Sequence, residues 1–172
     1  MMRILAPTLF VVILLAGCQA GSNGPGSSAA NDTPLALENE VPFRSDGSLT
    51  ILRGNDSLLT LDIEIADTDS ARERGMMQRS GLPHMSGMLF LMPTEEVQGF
   101  WMSNTQVSLD IIFANGEGEI VSISKYAKPL SPETLWSEAP AEYILEVMAG
   151  FADEQGITKG DVITWKWNAL EL

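Results

Sequence analysis

The chain has 172 residues, a formal net charge of −13 and a single cysteine. That length suits one ordinary domain. The charge excludes nucleic acid as a partner, because Lys and Arg must replace its counterions, and one cysteine excludes a disulfide within the chain.

Residues 4–16 form an apolar run of thirteen, preceded by Arg3. A bilayer-spanning helix needs roughly 20 apolar residues, so the run reads as the hydrophobic part of a signal peptide. It ends in Leu15-Ala16-Gly17-Cys18. The tetrapeptide resembles the lipobox of a bacterial lipoprotein, in which the bond before the cysteine is cut and the thiol carries a diacylglyceryl group. An ordinary cleaved signal peptide is the alternative. The resemblance implies residues 1–17 as signal and Cys18 as the lipidation site. Gln19 rather than Asp follows Cys18, which by resemblance implies the outer membrane, facing the periplasm. With Cys18 acylated, the mature domain has no thiolate for catalysis or for zinc.

Residues 18–46 are expected to be a flexible tether. Its first half is rich in Gly and Ser without apolar periodicity. Sixteen such residues span roughly 20–24 Å. Residues 47–172 form the single domain. Within it, residues 59–65 alternate Leu59, Leu61, Ile63 and Ile65 with Thr60, Asp62 and Glu64, which predicts a half-buried strand. Residues 67–77 are expected to be helical, with Asp67 or Thr68 as N-cap and Gly75 loosening the end. An apolar run over 88–92 is stopped by Pro93, and 100–102 is a short aromatic strand. Residues 109–114 and 120–126 flank Asn115-Gly116-Glu117-Gly118, a strong turn signal, and so should pair as a hairpin. Strands over 143–148 and 162–167 follow, with a helical turn or two over 150–155 between them. Many short strands and one real helix predict a mainly β domain: a compact antiparallel sandwich or partly closed barrel with one short helix.

Several strings remain conspicuous: Arg74-Gly75-Met76-Met77-Gln78-Arg79, Gly87-Met88-Leu89-Phe90, Phe100-Trp101-Met102-Ser103-Asn104-Thr105, Leu109-Asp110-Ile111-Ile112-Phe113, and Ala141-Glu142-Tyr143-Ile144-Leu145-Glu146-Val147. In this order and spacing they resemble the uncharacterised bacterial and archaeal family numbered 192 among domains of unknown function. The likeness covers about residues 59–167. It implies a compact, mainly β, barrel-like fold and carries no activity with it. The family's first string usually has Leu-Met where this chain has Met76-Met77, a near-isosteric change.

Read for chemistry, the same strings give one constellation. Trp101, Met102, Asn104 and Asp110 fall within ten positions, and Asp110 opens an apolar strand where a carboxylate needs donors. Arg79 or Arg74 could supply them. One reading is a brace tying a loop to the sheet edge. The other is a pocket bordered by Arg79, Trp101, Asn104 and Asp110, with Met88 and Met102 adding apolar wall, for a small ligand or an envelope protein. Acid–base work by Asp110 with Glu146 would need the two carboxyls close together. The sole histidine, His84, lies in a loop with no nucleophile motif near it. Met76, Met77, Met85, Met88, Met92 and Met102 cluster in sequence around it and Trp101, as core filler or as soft ligands for Cu(I) in the periplasm. The sequence thus points to a lipid-anchored, non-catalytic binding or accessory module of the cell envelope without a cofactor, with copper handling as the alternative.

Overall fold

The computed structural model describes residues 41–169. The expected signal segment, Cys18 and the part of the expected tether up to residue 40 lie outside the described residues. The strands are β1 (Gly47–Arg53), β2 (Asp56–Ala66), β3 (Ser86–Glu96), β4 (Gly99–Trp101), β5 (Leu109–Ala114), β6 (Ile120–Ala127), β7 (Thr134–Trp136), β8 (Ala141–Met148) and β9 (Val162–Trp167); the helices are α1 (Asp69–Arg74) and α2 (Phe151–Glu154). Among the described residues no helix is long and apolar enough to cross a membrane.

Seven strands form one sheet in the order β6-β5-β8-β3-β2-β1-β9, while β4 and β7 make a separate ribbon. The pairings are antiparallel except for β2 with β3, which run parallel from Asp62↔Ser86 to Ala66↔Phe90. A parallel pair needs a crossover rather than a tight turn, and the segment holding α1 provides it. The two edge strands approach at one end. Ile120 N donates to Asp161 O (2.8 Å) and Ile163 N to Gly118 O (2.8 Å). Gly118 has φ 85°, and a Cβ there would meet the Ile163 carbonyl at 2.4 Å, so glycine permits the approach. The contact is confined to that end, and the sheet curls without closing. The mainly β class expected from the sequence is the observed one, with one parallel pair and a second, four-residue helix as refinements.

Side-chain alternation builds a core on each face. One cluster takes Leu49 and Ile51, Leu61 and Ile63, Leu89, Ile112, Ile120, Leu145, Val147 and Ile163 from seven strands, with Ala152 of α2. The other takes Met88, Phe90, Leu109, Ile111, Phe113 and Ile144, covered by Met76 and Met102. Every residue of β5 is therefore buried. A strand covered on both faces reads as a continuous apolar run, which is why its bounds are legible in the sequence.

Several expectations shift. α1 stops at Arg74 rather than 77: Gly75 turns to φ 47° and its N–H caps Ala71 O. β3 runs through Pro93 to Glu96, because β3 and β8 lose register between Leu91 and Glu96. A proline is tolerated at such an irregularity. β1 and β7 have no counterpart among the predicted strands. Residues 44–46, assigned to the tether, are tied to the sheet: Asp46 N donates to Ile63 O (2.9 Å), and the Asp46 carboxylate accepts from Ile65 N (2.9 Å).

Candidate functional site

The second core cluster is roofed on one side by α1 and on the other by the β4–β7 ribbon, and a pocket opens between them. Thr68 starts the helix, its hydroxyl accepting from Ala71 N at 3.3 Å, the usual role of an N-cap threonine. Arg72 then staples the helix to the sheet. Its guanidinium donates to the carbonyls of Asp67 (2.7 Å) and Leu91 (2.8 Å) and pairs with Asp69. After Gly75 the chain drops inward, burying Met76 and leaving Met77 half-buried. From the ribbon, Phe100 points inward and packs edge-on against Phe90 (centroids 5.1 Å apart) and Phe113 (6.1 Å). Trp101, one position on, faces outward and is 56% exposed.

The pocket measures about 180 Å³. Its walls include Met76, Met77, Phe90, Met92, Phe100 and Trp101, its rim Arg72, Glu73 and Arg74, and Glu146 also lines it. Glu146 sits in mid-β8, directly across from Met88 on one neighbouring strand and Ile111 on the other. It is buried, and among the described residues its Oε2 has no hydrogen-bond partner. Burial without a cation lifts this carboxyl to a pKa of about 8, so at neutral pH it is mostly protonated. A wider, more polar concavity of about 720 Å³ adjoins the pocket. It shares Glu73, Arg74 and Met77 and adds Ser70, Gln78, Asn104, Gln106 and Leu130.

The residues singled out from the sequence do not all meet. Trp101 lines the pocket, and Asn104, held at φ 62°, lines the adjoining concavity. Met88 and Met102 are core residues. Arg79 is buried, its Nη2 pairing with Glu64 at 2.8 Å while its Nε lacks a partner among the described residues. Asp110 lies elsewhere. Its carboxylate accepts from Tyr126 N (2.8 Å), Gly150 N (3.0 Å) and Ala152 N (3.0 Å), so neither Arg79 nor Arg74 supplies its donors. This is the geometry of a brace that ties β5 to β6 and to the start of α2.

Asp110 and Glu146 do not form a catalytic pair. Asp110 is opposite Val147, on the face of the first cluster, whereas Glu146 is opposite Ile111, on the face of the second. His84 is exposed and is not among the residues lining either cavity. Met76, Met77 and Met92 do converge on the pocket. Sequence reasoning passed over Glu146 as a site in its own right. Its signal was a carboxylate flanked by Ile144, Leu145 and Val147, where alternation leaves no solvent face.

The comparisons with known proteins fit this architecture. The family model for DUF192, described as an uncharacterized ACR, matches residues 50–165. A Novosphingobium aromaticivorans protein of unknown function is similar in structure, with a TM-score of 0.65 and 30% sequence identity over 69% of this chain and 84% of that one. So is a candidate transcription regulator from Sinorhizobium meliloti, with a TM-score of 0.67 and 30% identity over 74% of this chain and 98% of that one. No curated protein matches the chain.

Proposed function

The chain belongs to the DUF192 family, and from that premise we propose that its domain is a non-catalytic binding module that takes a small, mainly apolar ligand between α1 and the ribbon. The observation that carries this reading is the Glu146 Oε2 atom, buried and unpartnered beside an apolar pocket. Buried polar atoms normally have partners, and ligand sites are apolar hollows with a few polar groups placed to orient what enters. The exposed His84 and the opposed faces of Asp110 and Glu146 favour binding over acid–base catalysis. The charge of −13 argues against carrying the regulator description over as DNA binding. Titration of the isotope-labelled protein with single-ring fragments tests the reading. Shifts of the Trp101 indole and the Met76 and Met77 methyl signals are expected, and a fragment set that moves none of them overturns it.

The module is further proposed to be held at the periplasmic face of the outer membrane through Cys18, supported by Leu15-Ala16-Gly17-Cys18. Palmitate labelling that Cys18→Ala abolishes is the expected result. A mutant that still resists salt washing from membranes argues against it. Cu(I) is the second reading, favoured by the three thioethers that share the pocket. No imidazole joins them, because exposed His84 lines neither cavity, and dialysis against Cu(I) with and without Met77→Leu decides it.

A further inference from the structure

Building on the pocket reading, we propose that the ligand is a small organic cation whose positive charge rests against the Glu146 carboxylate. Three observations converge on this class. The first is the unpartnered Glu146 Oε2. A buried carboxylate is stable when a cation faces it, and on this face of the sheet the neighbouring acid already has one: Glu64, across Met88 from Glu146, is paired with buried Arg79. Glu146 has no such partner among the described residues, so a cationic ligand would complete the row.

The second observation is the wall. Phe90, Phe100 and Trp101 present aromatic surfaces, and Met76, Met77 and Met92 present polarizable sulfur. Aromatic faces attract organic cations through the ring quadrupole. The third is size. Cavities of about 150 Å³ accommodate benzene, so a pocket of about 180 Å³ suits an ammonium group with a short chain or a single ring. The charge of −13 draws cations toward the protein.

The charged groups around Glu146 are few. α1 contributes Arg72, Glu73 and Arg74, β2 contributes Glu64, and the segment after α1 contributes Arg79. Arg72 is engaged by Asp69 and two carbonyls. Arg79 is engaged by Glu64. The Arg74 side chain is exposed at the rim next to Glu73, and among the described residues its guanidinium makes no ion pair or hydrogen bond. On β5 the facing residue is Ile111, and Asp110 points the other way. Binding of a cation below the Glu146 pKa therefore releases one proton: the carboxyl O–H breaks, the proton goes to solvent and the ligand's charge replaces it.

Three probes of one shape but different charge test the proposal on the purified full-length protein: tetramethylammonium, tert-butanol and pivalate, titrated while the Trp101 indole resonance is followed. Tetramethylammonium is expected to bind at least tenfold more tightly than tert-butanol at pH 8. Its affinity should rise about tenfold per pH unit from pH 6 and level off near pH 8. Glu146→Gln should erase the preference, and Arg74→Gln should strengthen it several-fold. If Glu146→Gln fails to fold, the pH slope of the wild type alone decides. Equal binding of tert-butanol, or affinity that ignores pH, overturns the cation while leaving the pocket reading intact. Tightest binding by pivalate, lost in Arg74→Gln, overturns it in favour of an anion. If none of the probes moves the indole signal, both the cation and the pocket are overturned.

Discussion

Asp110 and Glu146 lie on adjacent strands of one sheet, both buried, yet their surroundings differ in kind. Asp110 faces the cluster closed by α2, and three backbone N–H groups surround it. Glu146 faces the cluster closed by α1 and the ribbon, and one of its oxygens has no partner. A buried carboxylate saturated with donors is a fastening. One left short of donors, next to a hollow, is a place where something can be received. The difference arises from the covering layer and from the β5–β6 ladder, which loses register between Leu109 and Ile111 and frees Tyr126 N for Asp110, whereas β5 and β8 pair regularly at both positions.

The largest effect that would sharpen this contrast is at Asp110. Asp110→Ala strands three N–H donors, each costing about 1–3 kcal/mol when buried and unsatisfied. The expected loss in urea denaturation is about 5 kcal/mol, and a loss below about 1 kcal/mol would remove the brace. Next comes Glu64→Gln, which leaves buried Arg79 without its counter-charge. Breaking such a pair from one side typically costs about 3–5 kcal/mol, so a melting temperature that stays put would show that Arg79 finds other relief.

Glu146 should show itself through pH instead. Its folded pKa is about 8 against an ordinary value of 4.5. The folded state therefore holds a proton that the unfolded state gives up between those values. Stability is full below pH 4.5, falls as pH rises, and stops falling above about 8. Between pH 5 and pH 8 the loss from this group is about 3–4 kcal/mol. Glu146→Gln should flatten that part of the profile and leave stability at pH 5 nearly unchanged. An unaltered profile in the mutant would break the contrast with Asp110. The smallest effect concerns the roof: Thr68→Ala removes the cap of α1 and should cost about 1 kcal/mol, read as a small shift in the denaturation midpoint.

Local signals made part of this legible. β5 and β9 carry the bounds expected from their apolar patterns, and Asn115-Gly116-Glu117-Gly118 marks the β5–β6 turn, where the Asn115 side chain accepts from Glu117 N and Glu119 N. β7 is three residues long and has no period to detect. β1 alternates Leu49 and Ile51 with Ser48 and Thr50 over one short stretch, and its start, Gly47-Ser48, continues the polar Arg44-Ser45-Asp46 before it. The donors to Asp110 were illegible because Gly150 and Ala152 lie some 40 positions away and offer backbone amides, which every residue has. The pocket needed tertiary knowledge as well: Glu146, Met76 and Phe100 come from three separate segments, and only the crossover through α1 brings them together.

The pairing of β1 with β9, from Gly47↔Trp167 to Leu52↔Val162, bears on when the domain can form. The strand made first needs the strand made last. Until residue 167 is available, β1 has one open edge, and Leu49 and Ile51 lack the Ile163 and Trp165 that pack with them in the first cluster. Such distant contacts are slow to form, because a long loop must close before they contribute. A nascent chain is thereby kept from completing its sheet until β9 has been made.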